Sequence, residues 1–150
     1  MSPYGLDEML KLMIRWEKRL DSFYGAMEEY LADERARKTA FALQERQKKA
    51  LEILSAIHIE DYEDTEYIRS VPDFHSEDLV PHFEIDARSS PKDVFETILG
   101  YELKLEAYYR HLLDFVFYEK SKEIIGMMLQ FKTGQIKEIK GLMEHYDLAV

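Results

Sequence analysis

The chain has 150 residues, a net charge of −10, six glycines, four prolines and no cysteine. This length predicts one domain with a real core over residues 1–150, and the 46% of hydrophobic residues favours a helix-rich globular protein over a disordered one. The acidic balance argues against binding to nucleic acid or anionic membranes, and the lack of cysteine excludes disulfides, iron–sulfur clusters and cysteine nucleophiles.

No part of the chain predicts a membrane segment or a secretory signal. No apolar run approaches the roughly 20 residues that a membrane-spanning helix needs. The first ten residues lack the basic start and the apolar block of a signal peptide. We therefore expect a cytoplasmic protein.

Four long helices are predicted from apolar residues at helical spacing. They cover about residues 5–32, 34–58, 91–118 and 121–146. The chain at 59–90 breaks the pattern, with two prolines and an acidic run, and is predicted to be an irregular crossover between the second and third helices. Because a helix of this length is roughly 39 Å long, a chain that returns along the bundle needs a connection of that size.

Polar residues mark the start of three of these helices. Asp33 is the expected N-cap of the second helix, and Ser121 is the expected N-cap of the fourth. Ser90 is the expected N-cap of the third, because Pro91 fits the first helical position and Asp93 stands three residues after the serine.

Two glutamates lie on the apolar stripes of the first and third helices, in matching surroundings. The matching positions are Met13, Glu17, Leu20 and Tyr24 in the first helix and Ile98, Glu102, Leu105 and Tyr109 in the third. Residues at this spacing share one helix face. Because a buried carboxylate is costly unless it is paired or bound to metal, the two glutamates indicate an internal polar site.

The same match extends to an internal repeat. One constant shift places the first helix on the third, and a second shift places Gln47 of the second helix on Gln135 of the fourth. Two helical hairpins related by a pseudo-twofold axis and joined by one long crossover form the ferritin-like arrangement of four-helix bundles.

On these residues the chain resembles the ferritin-like, rubrerythrin-like diiron-carboxylate family over nearly its whole length. The Glu-x6-Tyr spacing of helices one and three, the Ser-Pro-Lys-Asp-Val opening at 90–94 and the long crossover carry the resemblance. The Lys-Thr-Gly-Gln-Ile segment at 132–136 looks like the family's Glu-x-x-His-Ile. The resemblance implies an all-α, ferritin-like four-helix bundle that pairs through helix faces into a homodimer.

The resemblance also implies a set of metal-ligand positions, which this chain fills differently. The family takes one Glu from each of two helices and a Glu-x-x-His from each of the other two. No Glu-x-x-His occurs in this sequence. Glu17 and Glu102 stand at two of the four Glu positions. At the other positions the chain has Gln44 and Lys132 in place of Glu, and Gln47 and Gln135 in place of His.

These replacements predict a polar core network without metal. Lys132 supplies the positive charge that metal ions would bring, the three glutamines donate amide hydrogens to the carboxylates, and the Tyr24 and Tyr109 hydroxyls join them. Three alternatives remain open at this point. The glutamates could be partly exposed boundary residues, Lys132 could extend to solvent, or Glu17 and Glu102 could still bind a divalent metal.

The sequence shows no nucleophile–base constellation and no phosphate-binding loop, so it establishes no activity. The first hypothesis is a ferritin-like protein with a degenerate, metal-free site and no cofactor, which acts as a non-enzymatic scaffold or interaction protein with an unknown protein partner. The alternative is a metal-binding oxidoreductase or iron-handling protein of the diiron-carboxylate type, in which Glu17 and Glu102 hold iron or another divalent metal.

Overall fold

The structure is a computed structural model that describes residues 4–57, 67–68, 85–86, 88–116 and 119–148. Four helices dominate these residues, which confirms the all-α prediction. The elements in chain order are β1 (Tyr4–Gly5), α1 (Leu6–Tyr30), α2 (Glu34–Ser55), β2 (Tyr67–Ile68), α3 (Pro91–Leu112) and α4 (Glu119–Leu148). The two short strands pair antiparallel, with Tyr4 opposite Ile68, and they were not predicted.

The starts of α2 and α3 are capped as the sequence predicts. The Asp33 side chain accepts a hydrogen bond from the Ala36 backbone N–H at 2.9 Å. The Ser90 hydroxyl accepts one from the Asp93 N–H at 3.4 Å, with Pro91 in the first turn. These side chains satisfy backbone donors that the helix itself leaves unpaired, so both N-cap predictions are confirmed.

Three helices end earlier than predicted. α1 ends at Tyr30, α2 at Ser55 and α3 at Leu112, where the apolar spacing predicts ends near residues 32, 58 and 118. Beyond two of these ends an apolar side chain still enters the core, because Leu31 and Val116 are only 2% and 3% exposed. Buried residues in a turn extend the apolar pattern past the last helical residue. Periodicity alone cannot distinguish such a turn from a further turn of helix.

The start of α4 corrects the prediction for Ser121. The helix begins at Glu119, so Ser121 lies inside its first turn and is not the N-cap. The Ser121 side chain is buried at 1% exposure, and its hydroxyl has no hydrogen-bond partner among the described residues. The serine therefore packs inward, and the acidic Glu119 occupies the positive end of the helix dipole.

The contacts between helices set their directions. α1 packs on α2, α3 packs on α4, and α2 also packs on α4. Tyr24 of α1 contacts Glu102 of α3, whereas Glu17, which precedes Tyr24 in α1, contacts Tyr109, which follows Glu102 in α3, so α1 and α3 are antiparallel. Because α1 is also antiparallel to α2, helices α2 and α3 run in the same direction, and the end of α2 and the start of α3 lie at opposite ends of the bundle.

The predicted crossover at 59–90 lies largely outside the described residues. Only 67–68, 85–86 and 88–90 belong to the described part. Ile85 is 9% exposed and joins the hydrophobic core. None of the helices in the described part combines the length and the apolarity that crossing a membrane requires.

The core lies between the four helices, with polar residues at its centre. Its largest fully buried side chains are Trp16, Tyr24, Tyr109, Phe95, Lys132, Met9, Met13, Leu20, Met27, Leu43 and Leu54. A lysine in this set is unusual, because an ammonium is rarely fully buried unless it is paired. The partners of Lys132 therefore define the site.

Candidate functional site

Each of the four helices brings at least one polar side chain to the centre of the bundle. Glu17 comes from α1, Gln47 from α2, Glu102 from α3 and Lys132 from α4, and all four are 0% exposed. This burial excludes the alternative in which the glutamates are boundary residues. It also excludes the alternative in which Lys132 extends to solvent.

The Lys132 ammonium lies between the two carboxylates. Its Nζ contacts Glu17 Oε1 and lies 3.1 Å from Glu102 Oε2 and 3.3 Å from Glu102 Oε1. One ammonium therefore pairs with two carboxylates, which leaves the cluster with a formal charge of −1. Such a triad is held in a dry core only because the ions neutralise each other's charge.

Two tyrosines complete the cluster in a reciprocal way. The Tyr24 hydroxyl of α1 donates to Glu102 Oε1 at 2.9 Å, and the Tyr109 hydroxyl of α3 donates to Glu17 Oε2 at 3.2 Å. Each tyrosine thus donates its hydrogen bond to the glutamate of the other helix. In the sequence, by contrast, each tyrosine follows the glutamate of its own helix. The reciprocity matches the internal repeat that relates the first and third helices.

Of the three glutamines Gln44, Gln47 and Gln135, Gln47 is the one that donates to a carboxylate of the Lys132 cluster. Its Nε2 donates to Glu17 Oε1 at 3.0 Å and to the Glu17 backbone oxygen at 2.9 Å. Glu17 therefore accepts hydrogen bonds from Gln47 and Tyr109 in addition to its contact with Lys132. A carboxylate with this many donors keeps its charge at a lower cost than an unpaired one.

The other two glutamines differ from the prediction. Gln44 is only half-buried, and its Nε2 donates to the Asp21 backbone oxygen at 3.2 Å. Gln135 is fully buried, but its Nε2 donates to the Leu43 backbone oxygen at 3.0 Å. Both amides thus bind backbone carbonyls that face them across a helix pair, and neither donates to Glu17 or Glu102.

Acceptors outnumber donors at this centre. Gln47 Oε1, Gln135 Oε1 and Glu102 Oε2 have no hydrogen-bond partner among the described residues. Glu102 Oε2 still interacts with Lys132 electrostatically at 3.1 Å, although the contact lacks hydrogen-bond geometry. This surplus of acceptors agrees with the net negative charge of the cluster.

Burial and charge shift the pKa values of the ionisable groups in the cluster. Burial raises the pKa of Glu102 above its usual 4.5, Lys132 partly offsets this rise, and Glu17 adds to it. Burial lowers the pKa of Lys132, but Glu102 and Glu17 outweigh it and hold the pKa above the usual 10.5. The lysine therefore keeps its proton because two carboxylates face it, whereas Glu102 binds a proton more readily chiefly because it is buried.

The two phenols are held in their neutral form. Burial raises the pKa of Tyr24 and of Tyr109 well above the usual 10.0, and the adjacent carboxylates raise both values further. A phenol that donates to a carboxylate would lose its hydrogen bond and gain repulsion if it ionised. Tyr24 and Tyr109 are therefore hydrogen-bond donors to the cluster at all ordinary pH values.

A pair of metal ions does not fit the residues present at this centre. An ammonium has three donors and no acceptor, so Lys132 cannot ligate a cation and would repel one. Di-iron sites in helical bundles use imidazoles and four carboxylates as ligands, whereas this centre offers two carboxylates, amides and a lysine. Across the described parts of the chain, no group of three or more His, Cys, Asp or Glu side chains could hold a metal ion.

Asp21 is a further carboxylate that the sequence analysis did not assign to the site. Burial raises its pKa, while Lys48 and Gln44 lower it. The repeat places Asp21 on Glu106, and the Glu106 carboxylate accepts a hydrogen bond from Thr133 at 3.0 Å. Each helical hairpin thus carries a second acidic residue one turn after its buried glutamate. The internal repeat is the signal in the sequence that identifies this pair.

Comparison of the chain with models of protein families, with characterised proteins and with solved structures finds no match.

Proposed function

We propose that this chain is a single ferritin-like, rubrerythrin-related domain in which a buried lysine takes the place of the diiron centre. It acts as a cytoplasmic, non-enzymatic scaffold or interaction protein, and it works as a homodimer. The observation that carries this proposal is the Lys132 ammonium, which contacts both Glu17 and Glu102 at the centre of the bundle.

The directions of the helices support the ferritin-like assignment. α2 and α3 run in the same direction and are joined by a connection that leaves one end of the bundle and rejoins it at the other. Ferritin-like bundles have this type of connectivity, with one long crossover. A simple up-and-down bundle would instead make α2 and α3 antiparallel and join them by a short loop.

The charge of the core supports a role without metal. Two divalent ions need several carboxylates to neutralise them in a dry core, and this core offers two carboxylates that already share an ammonium. A metal ion would have to displace the Lys132 side chain, which is 0% exposed. The displaced ammonium would then be buried without a partner.

Exposed apolar side chains on α2 support a role in protein contacts. Phe41 and Ile53 are each 51% exposed. Ile53 lines a groove between α2 and α4 together with Met127 and Phe131, and Arg46 and Lys49 line the same groove. Methionine, aromatic residues and arginine are enriched at protein interfaces.

Metal content tests the proposal. The purified chain is incubated with Fe(II), Mn(II) or Zn(II), desalted and examined by elemental analysis and thermal melting, with Glu17→Ala/Glu102→Ala as the comparison. We expect a metal content near zero in both proteins and no metal-dependent rise in Tm. Light scattering of the same samples is expected to give the mass of two chains.

The opposite result would favour the alternative function. About two ions per chain, lost in Glu17→Ala/Glu102→Ala, would identify a diiron-type oxidoreductase or iron-handling protein and overturn the proposal. A monomer at high protein concentration would overturn the homodimer.

A further inference from the structure

The contact between Lys132 and Glu17 brings an amine and a carboxyl group together in a site without solvent. Both side chains are 0% exposed, and Lys132 Nζ touches Glu17 Oε1. Holding two reacting groups in contact removes the translational and rotational entropy cost that makes amide formation slow in water. We propose that Lys132 and Glu17 condense to an isopeptide bond, which links α4 to α1 covalently.

Glu102 is placed to carry the protons that this reaction moves. Its two oxygens lie 3.1 Å and 3.3 Å from Lys132 Nζ, within reach of the amine that must lose a proton before it attacks. The same carboxyl can return a proton to the oxygen that leaves Glu17. Tyr24 donates to Glu102 Oε1 at 2.9 Å and so fixes the orientation of this carboxyl.

Two donors are placed to stabilise the intermediate. Attack on the Glu17 carboxyl carbon puts negative charge on its oxygens. Gln47 Nε2 lies 3.0 Å from Oε1, and the Tyr109 hydroxyl lies 3.2 Å from Oε2. Fixed donors directed at an oxygen that gains charge lower the barrier, because they need no reorganisation during the reaction.

The atoms and charges of the step balance without any other reactant. The Lys132 ammonium passes one proton to the Glu102 carboxylate, and the neutral amine attacks the Glu17 carboxyl carbon. The new carbon–nitrogen bond forms, a second proton leaves the nitrogen, and one Glu17 oxygen departs as water with both protons. Glu102 returns to its starting state, and one ammonium and one carboxylate have become a neutral amide.

The change in charge acts on the reaction in two ways. Condensation removes the desolvation penalty of the Lys132 and Glu17 ions, because an amide carries no net charge. It also takes the counter-charge away from Glu102, whose carboxyl then binds a proton more readily. The exposed ion pairs show the contrast, because Lys38–Glu34 and Lys120–Glu123 are well solvated and gain nothing from condensation. Among the described residues, Lys132 is the one lysine that is fully buried.

The mass of the intact, denatured full-length chain tests the inference. We expect the wild-type protein to be lighter than its sequence mass by one water molecule. Trypsin is expected to release a branched peptide in which residues 16–18 are joined to 123–137, uncut at Lys132. Lys132→Arg and Glu102→Gln are expected to show their full sequence masses. Lys137→Arg, an exposed control on α4, keeps the loss of water.

Two results would overturn the inference. The first is a wild-type chain with its full sequence mass after prolonged incubation in the folded state, a measurement that needs no variant to fold. The second is a loss of water that persists in Lys132→Arg, which would place the reaction elsewhere. Retention of the loss in Glu102→Gln would contradict the proton transfer assigned to Glu102.

The inference rests on the same Lys132 arrangement as the proposed function, but the two can fail separately. A metal-free chain of full mass would leave the proposed function standing without the isopeptide bond. A chain that holds about two metal ions would overturn both, because the metal would have to displace the lysine from Glu17.

Discussion

At the scale of single residues, the cluster depends on which atoms each side chain reaches. Gln44 and Gln47 lie one turn apart on α2. Gln47 is fully buried and donates to the Glu17 carboxylate, whereas Gln44 is half-buried and donates to a backbone oxygen. Their energetic roles should therefore differ.

Replacing each glutamine with leucine measures this difference. A hydrogen bond to a charged group is worth more than one to a neutral carbonyl, so we expect Gln47→Leu to lower the free energy of unfolding by about 2 kcal/mol. We expect the matched Gln44→Leu to cost about 1 kcal/mol or less, because solvent can replace its bond. Urea unfolding at neutral pH checks both values, and equal losses would contradict the assignment of Gln47 to the cluster.

The sequence predicts which residues face the core, but not which atoms they bind. Helical periodicity places Glu17 and Glu102 on apolar faces, but it leaves open whether they and Lys132 are fully buried, which the structure shows. It cannot show that Gln135 turns its amide to the Leu43 backbone oxygen, because that choice depends on the offset between α2 and α4. It also cannot show that the hydroxyl of each tyrosine donates to the glutamate of the other helix.

At the scale of elements, the N-caps are local features and the helix ends are not. An N-cap needs one side chain within a few residues of the donor, so Asp33 and Ser90 can be recognised from sequence alone. The ends of α1 and α3 depend on how the following residues fold back into the core. Residue type alone does not identify an N-cap, however, because Ser121 is a typical capping residue that lies inside the first turn of α4.

Serine-to-alanine substitutions separate a cap from a buried serine. Ser90→Ala removes the acceptor of the Asp93 N–H and is expected to cost about 1 kcal/mol of unfolding free energy. Ser121→Ala removes a buried hydroxyl without a described partner and adds a better helix former, so we expect no loss or a gain of about 0.5 kcal/mol. Thermal melting of both variants checks the contrast. If Ser121→Ala lost as much unfolding free energy as Ser90→Ala, Ser121 would act as a helix cap after all.

The glycines of α4 are not explained by close packing of backbones. A Cβ at Gly134 would meet the guanidinium at the end of the flexible Arg46 side chain, which pairs with Glu138 at 3.7 Å and is partly exposed. This side chain can shift, so an alanine at position 134 would be accommodated. Gly126 and Gly141 have no neighbour that explains them.

At the scale of the whole molecule, one buried charge connects all the helices of the bundle. Lys132 of α4 contacts Glu17 of α1 and Glu102 of α3, and Gln47 of α2 contacts Glu17. The two hairpins are thus joined at their centre by ions as well as by apolar packing. The removal of one ion should destabilise the whole domain, because the two carboxylates would be left buried without a counter-charge.

Global stability of two variants tests this central claim most directly. Lys132→Met keeps the volume but leaves both carboxylates unpaired, so we expect a loss of about 3–5 kcal/mol in unfolding free energy relative to wild-type chains of full sequence mass, in which Lys132 and Glu17 are still an ion pair. Adding Glu17→Gln and Glu102→Gln to that variant removes the unpaired charges and is expected to recover most of the loss. The difference between the variants isolates the charge, because both lack the Lys132 amine. A Lys132→Met protein as stable as the wild type, or a triple variant that is less stable still, would contradict the claim.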